Sequence, residues 1–457
     1  MSGSLLCFLA FASTLIATNR GMASGLAALL AWGYSFGILK AHFIESNGLF
    51  IFDASTIGFY LGLLASPLVR NHKQRFRSII PWLIVLMGWP LFMATVPIQH
   101  YLVQVIGLRG NIFWLPMMLV GFLLRPVDKS ALVVCLAVLN LVAFGFAIAE
   151  FFIGVEAFIP QNSVTTLVFD SNDLKDGALR IPSVFANAHS YALFMVATIP
   201  WLIGELVGSK SMRSVGVFGM PLLVAGLISA LLGIFMAGPR QPVVILAMLI
   251  GLILFSRGFN LGFLVIVGLA GVIVGFLVAQ DERLQRFTKL QDLDAVQDRI
   301  NTSLNMGFFE ILMDYPMGNG MGGGGTSLPG FAQALLNRTI ILENEYARIL
   351  LEQGLPGLLL FIGFFYWYMT RQIQKTDPEY IQKNYIRFYS FISISTAFIG
   401  IGLMTTIPGT AFLMLGIGYS ISPAFRIIAD SRGKEMGVNS QLGMSFLPAY
   451  QRGLSQI

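Results

Sequence analysis

The feature that most constrains this chain is a succession of apolar runs separated by mostly short polar loops. Crossing about 30 Å of hydrocarbon takes about 20 apolar residues in a helix. The runs do not alternate apolar with polar residues, so helices rather than β-strands are the spanning elements. Only 11% of the residues are charged, against about a quarter in soluble domains. The runs predict about 13 spans, near 3–18, 22–39, 49–69, 79–95, 111–124, 130–153, 188–207, 215–236, 241–255, 261–278, 347–369, 385–402 and 408–422. The expected class is an all-α polytopic transmembrane bundle of about 12–13 spans with a large helical loop on its outer face.

Lys and Arg in short loops set orientation. Arg70, Lys73, Arg75 and Arg77 mark an inside loop. Arg125 with Lys129, Lys210 with Arg213, Arg257 and the stretch 371–387 fall on the same side. The expected organisation is membrane helices over 1–153, an outside loop over 154–187, and central helices over 188–279. A large outside loop over 280–346, further helices over 347–422 and an inside tail over 423–457 complete it. The first run lacks the basic start of a signal peptide and reads as a retained span.

The net charge of +6 comes with no basic run interleaved with aromatics. The excess reads as topology, and no nucleic-acid partner is expected. Cys7 and Cys135 lie inside apolar runs, which argues against a disulfide scaffold or thiolate metal site. The histidines form no H-x-x-H pattern, so no metal is expected.

Several polar motifs interrupt the apolar pattern. Arg240, in A-G-P-R-Q-P-V-V, opens a span on the outside, where basic residues are disfavoured. It also sits at a helix N-terminus, whose dipole opposes a cation by about 0.3–1 kcal/mol. An interfacial anchor is one reading. The other is an anion held between the guanidinium and the free N–H groups, a phosphate site. Arg180, in R-I-P-S-V-F-A-N-A-H, ends an outside loop; it serves a site or pairs with Asp173 or Asp176. His189 follows at the membrane edge as a substrate contact or a structural histidine. Arg299 opens an amphipathic stretch through Leu304, Phe308, Phe309, Ile311 and Leu312.

The run Gly318-Asn-Gly320-Met-Gly322-Gly323-Gly324-Gly325 formally contains G-x-G-x-x-G. No strand precedes it, so it is no dinucleotide fingerprint. Its glycines allow positive φ and close approach of a ligand at Gly320 and Gly322, or a flexible hinge. In E-N-E-Y-A-R-I-L-L-E-Q-G-L-P-G, Glu343, Asn344 and Glu345 suit a helix start. Arg348 stands at pair spacing from Glu345 and Glu352. Glu343 reads either as a capping acid or as a carboxylate that accepts a proton from a sugar hydroxyl. Asp53, Glu150 and Glu205 lie close enough to the ends of runs to reach the interface.

Taken in order, these motifs resemble the O-antigen ligase/polymerase superfamily. The resemblance covers roughly 180–357: the Arg-led approach at Arg180, the short motif at Arg240, the Arg299 segment, the glycine turn and E-N-E-Y. It implies a membrane enzyme of the bacterial inner membrane with its site facing the periplasm. The donor would be an undecaprenyl-pyrophosphate-linked oligosaccharide held by Arg240 and Arg180, with help from Arg299. Glu343 would act as base, with Asn344, Tyr346, His189, Gly320 and Gly322 contacting substrate. No cofactor or metal is implied; membrane lipid is a partner, and there is room for a chain-length regulator protein. Ligases of the family carry His where this chain has Glu343, and the Ser-Arg pair reads Pro239-Arg240 here. The reading is therefore a polysaccharide polymerase. The alternatives are a ligase acting on lipid A core or protein, and a flippase for lipid-linked glycan.

Overall fold

A computed structural model of the chain describes residues 3–43, 48–67, 69, 73–162, 165–169, 179–208, 219–257, 297, 308–325, 328, 330–336, 340, 342, 344–398 and 406–423. The principal helices are α1 Gly3–Arg20, α2 Met22–His42, α3 Ile51–Ala65, α4 Ile80–Thr95, α5 Tyr101–Ile112, α6 Met117–Leu123 and α7 Pro126–Ile153. Then come α8 Ala188–Val207, α9 Gly219–Ala237, α10 Arg240–Arg257, α11 Phe308–Asp314, α12 Glu345–Thr370, α13 Tyr380–Thr396 and α14 Gly409–Ser420. No strand occurs among the described residues. Eight described helices are long and apolar enough to cross a membrane, and three shorter apolar ones accompany them. The protein is an all-α polytopic helical bundle. The expected span at 261–278 lies outside the described residues.

Composition explains the faces these helices bury. On α9 the large side chains Met220, Val224, Ile228 and Leu232 are exposed at every fourth position. That stripe suits lipid, not water. The opposite face carries glycines at the contacts: a Cβ on Gly226 would lie 2.6 Å from Ala137 of α7, and one on Gly233 would lie 2.4 Å from the Tyr191 hydroxyl of α8. Small residues let helices approach closely where no hydrophobic force acts between them. Polar pairs add to this packing. Tyr34 of α2 donates to Asn140 Oδ1 of α7 at 2.6 Å, and Asn140 Nδ2 donates to Thr198 of α8 at 2.9 Å. Each such bond contributes on the order of 0.6 kcal/mol in a bilayer.

Two spans differ from expectation. The crossing placed at 111–124 runs over Tyr101–Leu123, broken where α5 stops before Pro116, which has no N–H to continue the ladder. The Tyr60 hydroxyl donates to the Phe113 carbonyl in that break at 3.0 Å. The helix at the span expected over 385–402 begins at Tyr380, with Gln382 and Lys383 buried inside the bundle, and it is not among those long and apolar enough to cross a membrane. Lys383 is held there by Asp377 at 2.7 Å and by the Ser422 carbonyl at 2.9 Å.

The helix directions define two ends. One carries the turn at 318–325, the starts of α8, α10 and α12, and the ends of α7 and α9. The opposite end carries a buried ionic cluster in which Lys129 meets Glu205 at 2.8 Å and Glu379 at 3.2 Å.

Candidate functional site

The glycine-turn end holds most of the polar residues singled out in the sequence. Its centre is a break in α12. Gly354 has φ 70° and ψ −177°, and Pro356 follows it. A break in a membrane helix frees backbone groups that lipid cannot satisfy. Here the polar turn supplies the partners. Leu355 N–H donates to the Pro316 carbonyl at 2.8 Å, and the Leu351 carbonyl accepts from Asn319 N–H at 2.6 Å. Trp89 Nε1 of α4 donates to the Gln353 carbonyl at 2.9 Å.

The glycines make this fit. Gly318, Gly320, Gly322 and Gly325 all have positive φ. A Cβ on Gly322 would lie 2.6 Å from the Val103 carbonyl of α5, and one on Gly318 would lie 2.7 Å from the Gly354 nitrogen. The freedom read in the sequence as close approach to a ligand is used at these positions for close approach to helix backbone. Gly354→Ala should destabilise the protein by about 2 kcal/mol, from left-handed strain and overpacking against Met317. Gly251→Ala, with open space at its Cβ, should fall within about 1 kcal/mol of the parent. Thermal unfolding in detergent micelles checks both.

Beneath the turn lies a buried charge network. Arg348 is fully buried; Nε donates to Glu345 Oε1 at 2.7 Å and Nη1 to Glu352 Oε2 at 2.7 Å. Asn111 of α5 donates to Glu352 Oε2 at 2.6 Å and accepts from Gln353 Nε2 at 2.9 Å. The Glu345–Arg348–Glu352 spacing was visible in the sequence; Asn111, far upstream, was not. Asn111, Arg348, Gln353 and Trp89 border a cleft of about 30 Å³ between α4 and α12, room for about two waters and too little for a sugar.

Two predicted substrate contacts are engaged inside the protein. Asn344 caps α12, its Oδ1 accepting from Ala347 N–H at 2.5 Å. Tyr346 donates to the Ile394 carbonyl at 2.8 Å and stacks on Phe398 with centroids 3.9 Å apart. Glu343 and Arg299 lie outside the described residues.

Arg180, His189 and Arg240 belong to the same end. Arg180 leads an irregular stretch, 181–187, threaded between α2 and α7. Non-helical backbone at that depth needs internal partners. Ser183, fully buried at φ 53°, donates its N–H to Glu150 Oε2 at 2.7 Å and its hydroxyl to the Ala143 carbonyl at 2.6 Å. The Val184 carbonyl accepts from Ile38 N–H at 3.1 Å, and the Phe185 backbone lies against Gly37. Asn187 then caps α8 through Ser190 N–H at 2.8 Å. His189 lies within electrostatic reach of Arg180. Tyr191 rests on Gly233, one turn before α9 ends, so α8 and α10 start side by side at this end. Arg240 opens α10; its Nε is buried and has no hydrogen-bond partner among the described residues.

The three acids expected at the interface are inside instead. Glu150 is 1% exposed and held by Ser183. Glu205 meets Lys129, and Asp53 takes the Arg109 fork at 2.7 and 2.6 Å. Distance from a run's end does not reveal such partners, because each comes from another helix or loop. Among the described residues no cluster of three or more His, Cys, Asp or Glu could hold a metal. No protein-family model matches this chain, and no curated protein matches it.

Proposed function

We propose that this protein is a membrane glycosyltransferase that polymerises undecaprenyl-pyrophosphate-linked saccharide repeats on the periplasmic face of the bacterial inner membrane. The observation that carries the reading is Arg240. Its Nε is shielded and has no hydrogen-bond partner among the described residues, and it stands where a helix dipole disfavours a cation. An anion bound between the guanidinium and the first N–H groups of α10 removes both costs. Arg180 and Arg299 contribute further positive charge, and His189 contacts the substrate beside Arg180.

In the reaction, an acceptor hydroxyl oxygen bonds to the donor's anomeric carbon. The bond from that carbon to the diphosphate oxygen breaks, and its electron pair leaves with the diphosphate. Glu343 takes the hydroxyl proton. Attack from the face opposite the leaving group inverts the anomeric centre. The arginines stabilise charge that develops on the leaving oxygen, the kind of term that often dominates catalysis.

The test is mass spectrometry of lipid-linked glycans after deletion of the gene. Single repeats should accumulate, and an unchanged ladder of longer chains overturns the reading. Purified protein given lipid-linked repeat alone should build a ladder. A ligase would leave the repeat single until offered another acceptor, and a flippase would move it without a new glycosidic bond.

A further inference from the structure

Glu150 is buried at the same end of the bundle as Arg180 and Arg240, and the reaction above gives it no part. Oε2 accepts the Ser183 N–H at 2.7 Å, while Oε1 is buried with no hydrogen-bond partner among the described residues. Glu150 forms no ion pair among the described residues. Helix α9, which packs along α7, carries no charged residue at all. An ionisable side chain placed inside a membrane bundle calls for a function.

Two features of this place oppose a negative charge. Glu150 stands in the last turn of α7, where its own carbonyl accepts from the Gly154 N–H. The negative end of the helix dipole lies there. Burial without a cation adds a desolvation cost that a single N–H does not offset. A carboxyl that keeps its proton avoids both. Its carbonyl oxygen still accepts a hydrogen bond, and its hydroxyl takes the bare position.

The bond to Ser183 controls more than one residue. Ser183 has φ 53°, in the left-handed region that serine rarely adopts, so its surroundings must fix the turn. Helix α7 grips it twice, at Glu150 and at the Ala143 carbonyl. Pro182, with its fixed φ, joins it to the buried Ile181. Arg180 stands next, three residues from the clamp, with stiff links between.

Resting on the reaction proposed above, we infer that Glu150 is a positioning residue for Arg180: it keeps its proton in the folded protein, and its carbonyl oxygen holds the Ser183 N–H so that the segment presents Arg180 to the donor diphosphate.

The test uses the full-length protein in detergent micelles. The infrared difference spectrum of wild type minus Glu150→Gln at neutral pH should show the carbonyl stretch of a protonated carboxylic acid. A carboxylate band in its place overturns the inference. Calorimetric titration with farnesyl diphosphate reads the positioning. Glu150→Gln, whose amide oxygen still accepts the Ser183 N–H, should bind within about twofold of the wild type. Glu150→Leu and Arg180→Ala should each bind about tenfold more weakly or worse. The double variant should bind no more weakly than Arg180→Ala, because the acid acts through that arginine; additive losses overturn the role. Glu150→Asp, one methylene shorter, replaces the Leu variant if that one fails to fold. If Glu150→Leu binds like the wild type while Arg180→Ala does not, the positioning role is overturned and the proposed reaction stands. If Arg180→Ala binds like the wild type, the donor reading of Arg180 falls and takes the positioning role with it.

Discussion

Arg348→Ala should cost about 3–5 kcal/mol and prevent accumulation of folded protein, because it removes the cation between two buried carboxylates. Glu345 is 1% exposed and Glu352 is fully buried, so neither turns to water when the guanidinium goes. The loss would spread. Asn111 is oriented by Glu352, and it in turn receives Gln353 next to the break in α12. Glu352→Gln makes the contrast, since its amide oxygen still accepts from Arg348 or Asn111. Its cost should stay nearer the 1–3 kcal/mol of a perturbed buried hydrogen bond. Yield of folded protein and thermal unfolding in micelles separate the two. Equal behaviour of the two variants would mean that the network acts by shape and not by charge.

On the reaction proposed above, Arg240→Ala should reduce polymer formation by about 10²–10³-fold, the loss that follows removal of one donor aimed at developing negative charge. The protein should remain in the membrane with its fold intact, because that side chain is half-buried and its Nε holds no described partner. Arg240→Lys should recover little of the activity. A point charge on a flexible stem does not reproduce a planar fork that grips two phosphate oxygens. Chain-length distributions of the product, read on a gel, give the result directly. A normal ladder from the Ala variant would remove Arg240 from the reaction.

How far the sequence could be read depended on which interactions were local. The membrane class and most helices followed from run length and low charge, while the lipid-facing stripe of Met220, Val224, Ile228 and Leu232 emerged only with the fold. The α12 ion pairs followed from three- and four-residue spacing. What escaped were partners supplied from a distance. Glu150 looked like an acid that could reach the interface, and only the fold brings the Ser183 N–H to it. Asn111 looked like the start of a span, and only the fold sets it beside Glu352. The glycine run had its backbone conformation foreseen and its neighbour missed, because no local pattern says what lies on the other side of a close approach. Lys383, buried with Asp377, made a real helix look too polar at its start.

The repaired break in α12 carries a consequence for biogenesis. The groups that satisfy Leu351 and Leu355 belong to a segment translated earlier, around Pro316 and Asn319. That segment must already be at this end of the bundle when α12 leaves the insertion machinery. Otherwise two bare backbone groups would enter lipid, at several kcal/mol each. Placement of the loop at that end is thus a precondition for seating the helix that follows it, and the chain's own order of synthesis meets it.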